Sequence, residues 1–324
     1  MIVVYFTYNF LLHSCVSFLP GNFILNQDLE AGPVEDYRTF NEKLHRALND
    51  IGSDVLHYNE NEFWLYRPDY EFIEYYAARY RMINTAIALP LARGLHDNVY
   101  RKASVSRDDV SYLLPYIIHP LEVCRLLIEL NIALPADECD ILFAAALCHD
   151  LIEDVEFEHG GTELKELYHL DPRVYETVLL VTKRKDFTED EERRHFENIT
   201  KNRLAMLVKA ADRGNNVEDL YNRSSWKVHE YVGETKKYFF PMLEYAAANY
   251  RDISSSISIL RDKIYTLTVA AEFLVDRYDQ QESKLRRRIA KLRAENDSLR
   301  KTWNERWHQS VEEMCSDLRA QTDQ

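Results

Sequence analysis

The chain has 324 residues and a formal net charge of −14 at neutral pH. Its 8 glycines and 9 prolines are too few for a β-sandwich with many tight turns, and they favour a mainly helical protein. The acidic charge excludes a broad nucleic-acid-binding surface, because such surfaces need excess Lys and Arg to displace counterions from phosphates. A small anionic substrate stays compatible with this charge, since a metal and a few local cations can outweigh the global field.

The first 25 residues are apolar and aromatic, but no Lys or Arg occurs before Arg38. A secretory signal needs a cationic start, and Pro20 and Gly21 would break a spanning helix. We expect a peripheral segment, or residues added by an upstream start codon, without stable membrane insertion. The 5 cysteines are scattered without a CxxC motif, which suits a reducing, cytoplasmic location better than a disulfide framework.

Apolar residues recur at three- and four-residue steps in much of the chain, whereas no stretch alternates as a strand would. This pattern predicts an all-α fold, a helical bundle with a long C-terminal helix or coiled coil. We expect an N-terminal extension of unknown role over residues 1–75, a catalytic domain over 76–250 and a helical segment over 251–324. The predicted helices are Tyr37–Leu48, Ile117–Leu130, Ile141–Val155, Val174–Thr182, Arg203–Ala211 and Glu230–Ala248.

The C-terminal segment carries a heptad seam with one stutter. Its members are Ile264, Leu267, Ala271, Leu274, Tyr278, Gln281 and Leu285, then Ile289, Leu292, Asn296, Leu299 and Trp303. Charged residues flank the seam, and Asn296 occupies an a-like position. A coiled coil that joins copies of the chain into a homo-oligomer is the first interpretation. The alternative is a long terminal helix docked on its own domain by the same stripe.

Four ionisable residues follow an apolar helix. The run Ile141–Cys148 leads directly into His149-Asp150 and then Glu153-Asp154. Residues four apart share a helix face, so these side chains form one patch on a helix that otherwise reads as buried. Burying three carboxylates together is unfavourable unless cations compensate them. A bound divalent metal ion is the simplest explanation.

Two further helices supply matching donors. His119 opens an apolar helix just before Pro120, and Asp212 closes another, four residues before Asn216. Each residue alone is more typical of a helix cap, and a second pair, His96-Asp97, lacks a buried helix and reads as incidental. Taken together, two imidazoles and two carboxylates (His119, His149, Asp150 and Asp212) suit Mn²⁺ or another octahedral ion better than structural zinc.

From about Ala86 to Leu243 the sequence resembles the hydrolase domain of RelA/SpoT-type alarmone enzymes, which has the HD fold, including their small stand-alone metazoan relatives. The resemblance rests on Arg101-Lys102, Pro115–Pro120, Ala145–Asp154, Val181–Lys183, Lys209–Arg213 with Asn216, and Glu234-Thr235. It implies Mn²⁺-dependent removal of the 3′-diphosphate of ppGpp or pppGpp, which gives GDP or GTP plus pyrophosphate. No glycine-punctuated βα segment of a synthetase follows, so we expect a hydrolase-only form.

The resemblance also implies roles for individual residues. His119, His149, Asp150 and Asp212 would hold Mn²⁺, while Glu153 and Asp154 would orient and deprotonate the attacking water. The substrate-binding residues would be Arg101 and Lys102 beside the guanine, Asn216 at the ribose or its phosphate, and Tyr238 in the pocket wall.

Three departures from the family pattern bear on substrate choice. The link Ala103–Tyr112 is longer than usual, Gly214-Asn215 replaces a usual Leu-His pair, and Phe239-Phe240-Pro241 replaces Tyr-Ala-Pro. An HD phosphohydrolase for another nucleotide, such as an adenosine alarmone or a nucleoside monophosphate, is therefore one alternative. A catalytically idle nucleotide-binding regulator that signals through the coiled coil is the other.

Overall fold

The computed structural model describes residues 37–101, 114–153, 167, 169–184, 186–220 and 223–322, with side chains up to residue 315. Across these residues the regular structure is helical, and the one β contact is an isolated antiparallel bridge between Tyr100 and Pro115. The all-α prediction is confirmed. The helices also form two compact units. One takes in the described residues up to Asn98 and from Pro120 to Thr182, and the other those from Val99 to His119 and from Lys183 onward.

The first unit is built around one fully buried helix. Its helices are α1 Tyr37–Ile51, α2 Arg67–Tyr80, α3 Ile83–Leu95, α4 Ile118–Glu129, α5 Ala136–Cys148 and α6 Pro172–Val181, although the first two residues of α4 belong to the other unit. Every residue of α5 from Cys139 to Cys148 is buried, and the helix packs mainly against α3 and α6. A helix that is apolar on all sides belongs in the middle of a core, as its sequence predicts.

One carboxylate is buried among these apolar residues and joins α5 to α3. The side chain of Asp140 accepts hydrogen bonds from the backbone N–H of Asn84 at 3.0 Å and of Thr85 at 2.8 Å. The hydroxyl of Thr85 donates a further bond at 2.8 Å. Because the first N–H groups of a helix have no partner inside it, Asp140 caps α3 from a neighbouring helix.

The second unit contains α7 Glu189–Ile199, α8 Arg203–Glu218, α9 Ser225–Glu234, a π-helical turn at Thr235–Phe239, α10 Phe240–Asn249 and α11 Ser254–Thr322. The segment predicted as one helix, Glu230–Ala248, is helical, but the π turn interrupts it. Such turns insert one extra residue into a helix and shift the register of the side chains beyond it.

The long helix α11 behaves differently in its two parts. Ile257, Leu260 and Ile264 are fully buried where α11 packs on α8, α9 and α10. Beyond Val275 the large apolar side chains of α11 are exposed. The alternative of a terminal helix docked on its own domain therefore holds for the first part of the seam, at Ile264, and not for the part beyond Val275. Oligomerisation through that second part stays a prediction. Among the described residues, no helix combines the length and apolar character needed to cross a membrane.

Gly94 permits a close approach inside the first unit. A Cβ atom added at Gly94 in α3 would lie 1.9 Å from the backbone carbonyl oxygen of Val55, whereas one added at Gly233 in α9 meets nothing within 4 Å. We expect Gly94→Ala to lower the free energy of unfolding by about 1–3 kcal/mol or more, because the backbone must move. Gly233→Ala, the matched control, should raise it by roughly 0.5–1 kcal/mol. Urea unfolding followed by circular dichroism measures both, and equal effects would contradict the packing argument.

Candidate metal centre

In the first unit, a buried histidine follows the last residue of α5. Nδ1 of His149 lies 2.8 Å from the carbonyl oxygen of Ala146. Because a carbonyl oxygen only accepts, Nδ1 donates its proton, and a neutral ring would keep its lone pair on Nε2. That Nε2 lies 3.1 Å from Oδ2 of Asp150, and the two side chains are 1% and 14% exposed. An imidazole nitrogen and a carboxylate oxygen therefore lie side by side, largely out of water.

The two acids predicted to position the attacking water, Glu153 and Asp154, follow His149 and Asp150 in the sequence. Glu153 is half-buried one turn after His149. Asp154, its predicted partner, and Lys102, a predicted base-contacting residue, lie outside the described residues.

In the second unit, His119 and Asp212 repeat the arrangement. Nε2 of His119, at the start of α4, lies 3.2 Å from Oδ1 of Asp212 in α8, and the side chains are 3% and 10% exposed. Nδ1 of His119 lies 2.6 Å from Oδ1 of Asn215. A proton on Nδ1 would be donated to this amide oxygen and would leave the Nε2 lone pair for a ligand.

One face of α8 supplies the surroundings of His119. Asp212, Asn215 and Asn216 stand at i, i+3 and i+4 along one side of the helix, and Asp219 directly follows its last residue. Nδ2 of Asn216 donates to Oδ1 of Asp212, and Nζ of Lys209 lies 3.3 Å from Oδ2. The buried carboxylate of Asp212 is thus oriented by a neighbour on its own face and partly neutralised by Lys209.

Arg101 is anchored to the same face. Its Nη1 donates to Oδ2 of Asp219 at 2.5 Å, its Nη2 lies 3.3 Å from Nδ1 of His119, and its side chain is 15% exposed. The guanidinium is therefore held in place on one edge by a carboxylate. This ion pair differs from the solvated basic pair that would be the simplest interpretation of Arg101-Lys102.

The donor atoms fit a divalent ion. Adjacent ligands of an octahedral ion with bonds of about 2.1 Å lie roughly 3 Å apart. The nitrogen–oxygen distances of 3.1 Å in the first unit and 3.2 Å in the second match this spacing. In the first unit, His149 and Asp150 therefore offer two neighbouring ligand atoms for a metal ion. The nitrogen and oxygen donors suit Mn²⁺-like ions, but they do not identify the metal.

An ion-pair network in the second unit unites three of the motif stretches. Glu234 at the end of α9 accepts from Lys183 at 2.8 Å and from the buried guanidinium of Arg213. Lys183 also donates to Glu192. Burial raises the pKa of Glu234, but Arg213 and Lys183 outweigh that effect and lower it to about 2. These motif residues therefore tie α7, α8 and α9 together.

Tyr238, predicted to line the substrate pocket, is buried in the π turn. Its ring stacks on Phe196 with centroids 4.9 Å apart and planes inclined by 7°. It also borders a recess of about 420 Å³ that includes Lys237 and the start of α7. Its role in substrate binding stays a prediction.

The structure brings the predicted site residues together within each unit. His149 and Asp150 are neighbours in the first unit, and Arg101, His119, Asp212 and Asn216 are neighbours in the second. Sequence reasoning missed Asn215 and Asp219, although both share the face of α8 that contains Asp212. Helical spacing from Asp212 was the signal that could have found them.

Comparison with known proteins connects this geometry to a family. Residues 116–216 match the model of the HD domain. The chain is 34% identical over 173 residues to a GTP pyrophosphokinase of Myxococcus xanthus, covering 49% of this chain and 20% of that protein. It is 29% identical over 140 residues to a putative chloroplastic GTP diphosphokinase of Arabidopsis thaliana, covering 40% and 15%. The chain thus spans a fifth or less of these relatives, and the similarities support the RelA/SpoT type of HD domain.

The Glu234 network makes a prediction about pH. The pKa of Glu234 is about 2 in the folded chain against an ordinary value of 4.5, so its stabilising effect is full above pH 4.5 and disappears as the pH falls to about 2. At neutral pH, Glu234→Gln should lower the free energy of unfolding by about 3 kcal/mol, because it leaves buried Arg213 without its carboxylate. The difference from the unmodified protein should shrink below pH 4.5.

Glu230→Gln provides the control, since Glu230 is exposed and pairs with Lys227 on the surface. Its effect should stay within about 0.5 kcal/mol. Urea unfolding of both variants between neutral and acidic pH makes the comparison. A Glu234→Gln difference that does not change with pH would contradict the assignment.

Proposed function

We propose, from the HD-domain match of residues 116–216 and the arrangement of the histidines, that this protein is a metal-dependent phosphohydrolase for guanosine alarmones. Its reaction would be hydrolysis of the 3′-diphosphate of ppGpp or pppGpp, with release of pyrophosphate. One observation carries the proposal. In each unit a buried histidine is anchored through Nδ1 while its Nε2 lies about 3 Å from a carboxylate oxygen.

The proposed ligands are His119, His149, Asp150 and Asp212, and the proposed ion is Mn²⁺. Their support is chemical, because desolvated carboxylates beside imidazole lone pairs call for a cation. The ion would supply Lewis acidity and charge neutralisation at the phosphoryl oxygens. The side chains of this protein would position the attacking water, move its proton and bind the nucleotide.

Glu153 and Asp154 are proposed to position the attacking water and accept its proton. The water oxygen bonds to phosphorus, the bond from that phosphorus to the ribose 3′-oxygen breaks, and the 3′-oxygen takes up a proton as it leaves. Two neighbouring carboxyl groups suit this exchange, since mutual repulsion favours one proton shared between them.

Arg101, Lys102, Asn216 and Tyr238 are the proposed substrate contacts. Because Asp219 fixes one edge of the Arg101 guanidinium, the plane of that group is ordered before a nucleotide arrives. A planar guanidinium can stack on a purine and keep its charge, which a lysine cannot do as well. Anchoring of this kind lowers the entropy lost on binding.

The position of the HD-domain match, residues 116–216, supports hydrolysis as the proposed reaction. Both relatives are named for transfer of diphosphate to GTP, but the HD match lies over the His-Asp residues. An HD hydrolase for another nucleotide is the second candidate, favoured by the substitution of Asn215 for the family's usual histidine.

The first experiment measures pyrophosphate release from ppGpp by the full chain with Mn²⁺. Asp150→Asn should reduce the rate by at least about 100-fold, since even loss of an outer partner of a metal ligand costs about 10–100-fold. Asp97→Asn is the matched control, because Asp97 also follows a histidine but accepts a hydrogen bond from the backbone of Asn59. It should keep nearly full activity.

Mn²⁺ binding measured by calorimetry separates the two levels of the proposal. Binding without pyrophosphate release would reject the alarmone substrate and redirect the assay to adenosine alarmones and nucleoside monophosphates. Equal turnover by the unmodified chain and Asp150→Asn would reject the metal centre itself.

Asn215 offers a test of the histidine anchoring. Asn215→Leu removes the oxygen that accepts from Nδ1 of His119, and we expect Mn²⁺ affinity to fall by about 10–100-fold. Asn215→Asp keeps an accepting oxygen and should retain most of the affinity. Calorimetric titration with Mn²⁺ compares them, and equal affinity of the two variants would show that this hydrogen bond does not position His119.

A further inference from the structure

The second part of α11 presents an uncovered apolar stripe. Leu274, Leu285, Ile289, Leu292 and Leu299 are between 46% and 69% exposed. They continue the seam that is buried at Ile264, in the docked part of the same helix. A single protein chain rarely leaves so many aligned apolar side chains in water, and such stripes mark interaction surfaces.

The register of the seam can be assigned residue by residue. In the first stretch Tyr278 and Leu285 take a positions and Leu274 and Gln281 take d positions. After the stutter, the a positions are Ile289, Asn296 and Trp303, and the d positions are Leu292 and Leu299. The exposed side chains thus occupy the positions that form the core of a coiled coil, with Asn296 in their midst.

The flanking charges suit a second copy of this chain as the partner. In a parallel pair, a g residue faces the e residue five positions later on the other helix. Arg277 would then face the partner's Glu282, and Glu295 would face the partner's Arg300. Both pairs have opposite charges. One like-charged pair, Arg288 with the partner's Arg293, falls beside the stutter.

An antiparallel pair would bring g positions opposite g positions. Three of these positions, Arg277, Lys284 and Arg288, are cationic in this segment. In reversed order Lys284 would face the partner's Glu295, and only Arg288 would face its own counterpart, so the g positions leave the direction to the core. Asn296 favours the parallel direction, because a single asparagine at an a position favours two strands in register, where the two amides can pair.

We propose that the exposed part of α11, residues 274–303, forms a parallel two-stranded coiled coil with the same segment of a second copy of this chain. The docked part of each α11 remains on its own α8, α9 and α10. This assembly is independent of the proposed reaction.

Sedimentation equilibrium on the full chain tests the assembly. We expect a mass of twice the 38.3 kDa of one chain at micromolar concentration. The double variant Leu292→Glu with Leu299→Glu should have the mass of one chain. The matched control is Ala294→Glu with Lys301→Glu, which adds glutamates at outward f positions and should leave the dimer intact. A single-chain mass for the unmodified protein, or a mass of three or four chains, would overturn the proposal.

Disulfide formation tests direction and register without relying on those variants. In a background of Cys15→Ser and Cys315→Ser, we expect Tyr278→Cys and Leu292→Cys each to form a disulfide between copies under mild oxidation. The two positions are roughly 21 Å apart along a helix, so an antiparallel pair cannot bring both onto their own counterparts. Lys301→Cys, at an f position, should stay unlinked. Failure of either core position to link would overturn the parallel arrangement.

Discussion

Burial of imidazole and carboxylate groups at the ends of apolar helical stretches is the constraint on which the rest of the structure depends. α5 is buried from Cys139 to Cys148, so the residue that follows it, His149, lies out of water. α8 does the same for Asp212, where Lys209 approaches the carboxylate. Buried polar groups must find partners. In each unit the framework places a nitrogen donor and an oxygen donor about 3 Å apart.

Contacts at Nδ1 orient the two histidines. An acceptor lies beside each Nδ1, a backbone carbonyl for His149 and the Asn215 amide oxygen for His119. A neutral imidazole with one nitrogen committed as donor presents the other as a ligand. The α8 face extends this order outward, because Asp219, one further turn along, holds Arg101. The orientation of His119 and the position of Arg101 thus both depend on α8 and the residue that follows it.

Much of this could be predicted from the sequence, for identifiable reasons. The all-α class and most helices follow from apolar spacing, and the His149-Asp150 site from ionisable residues placed straight after an apolar run. The π turn at Thr235–Phe239 could not be predicted, because the apolar spacing continues through it. The roles of Asn215 and Asp219 could not be predicted, because polar residues in a helical pattern usually indicate a solvent-exposed face. Only the fold shows that another element contacts them. Local pattern defines the helix, whereas a partner distant in sequence decides which polar residues face inward.

In α11, too, the sequence pattern defines the helix but not which of its residues are buried. One heptad stripe runs along it, yet its start is buried within the chain and its continuation is exposed. The flanks distinguish the two parts. Ser256 and Thr268 are buried beside the docked stretch, where small hydroxyl groups let helices approach, while Arg287 and Arg288 stand in water beside the exposed stretch. A seam bordered by long charged side chains suits a single facing helix, since those chains can cover its edges. The composition of the flanks, rather than the repeat itself, therefore separates docking within the chain from pairing between chains.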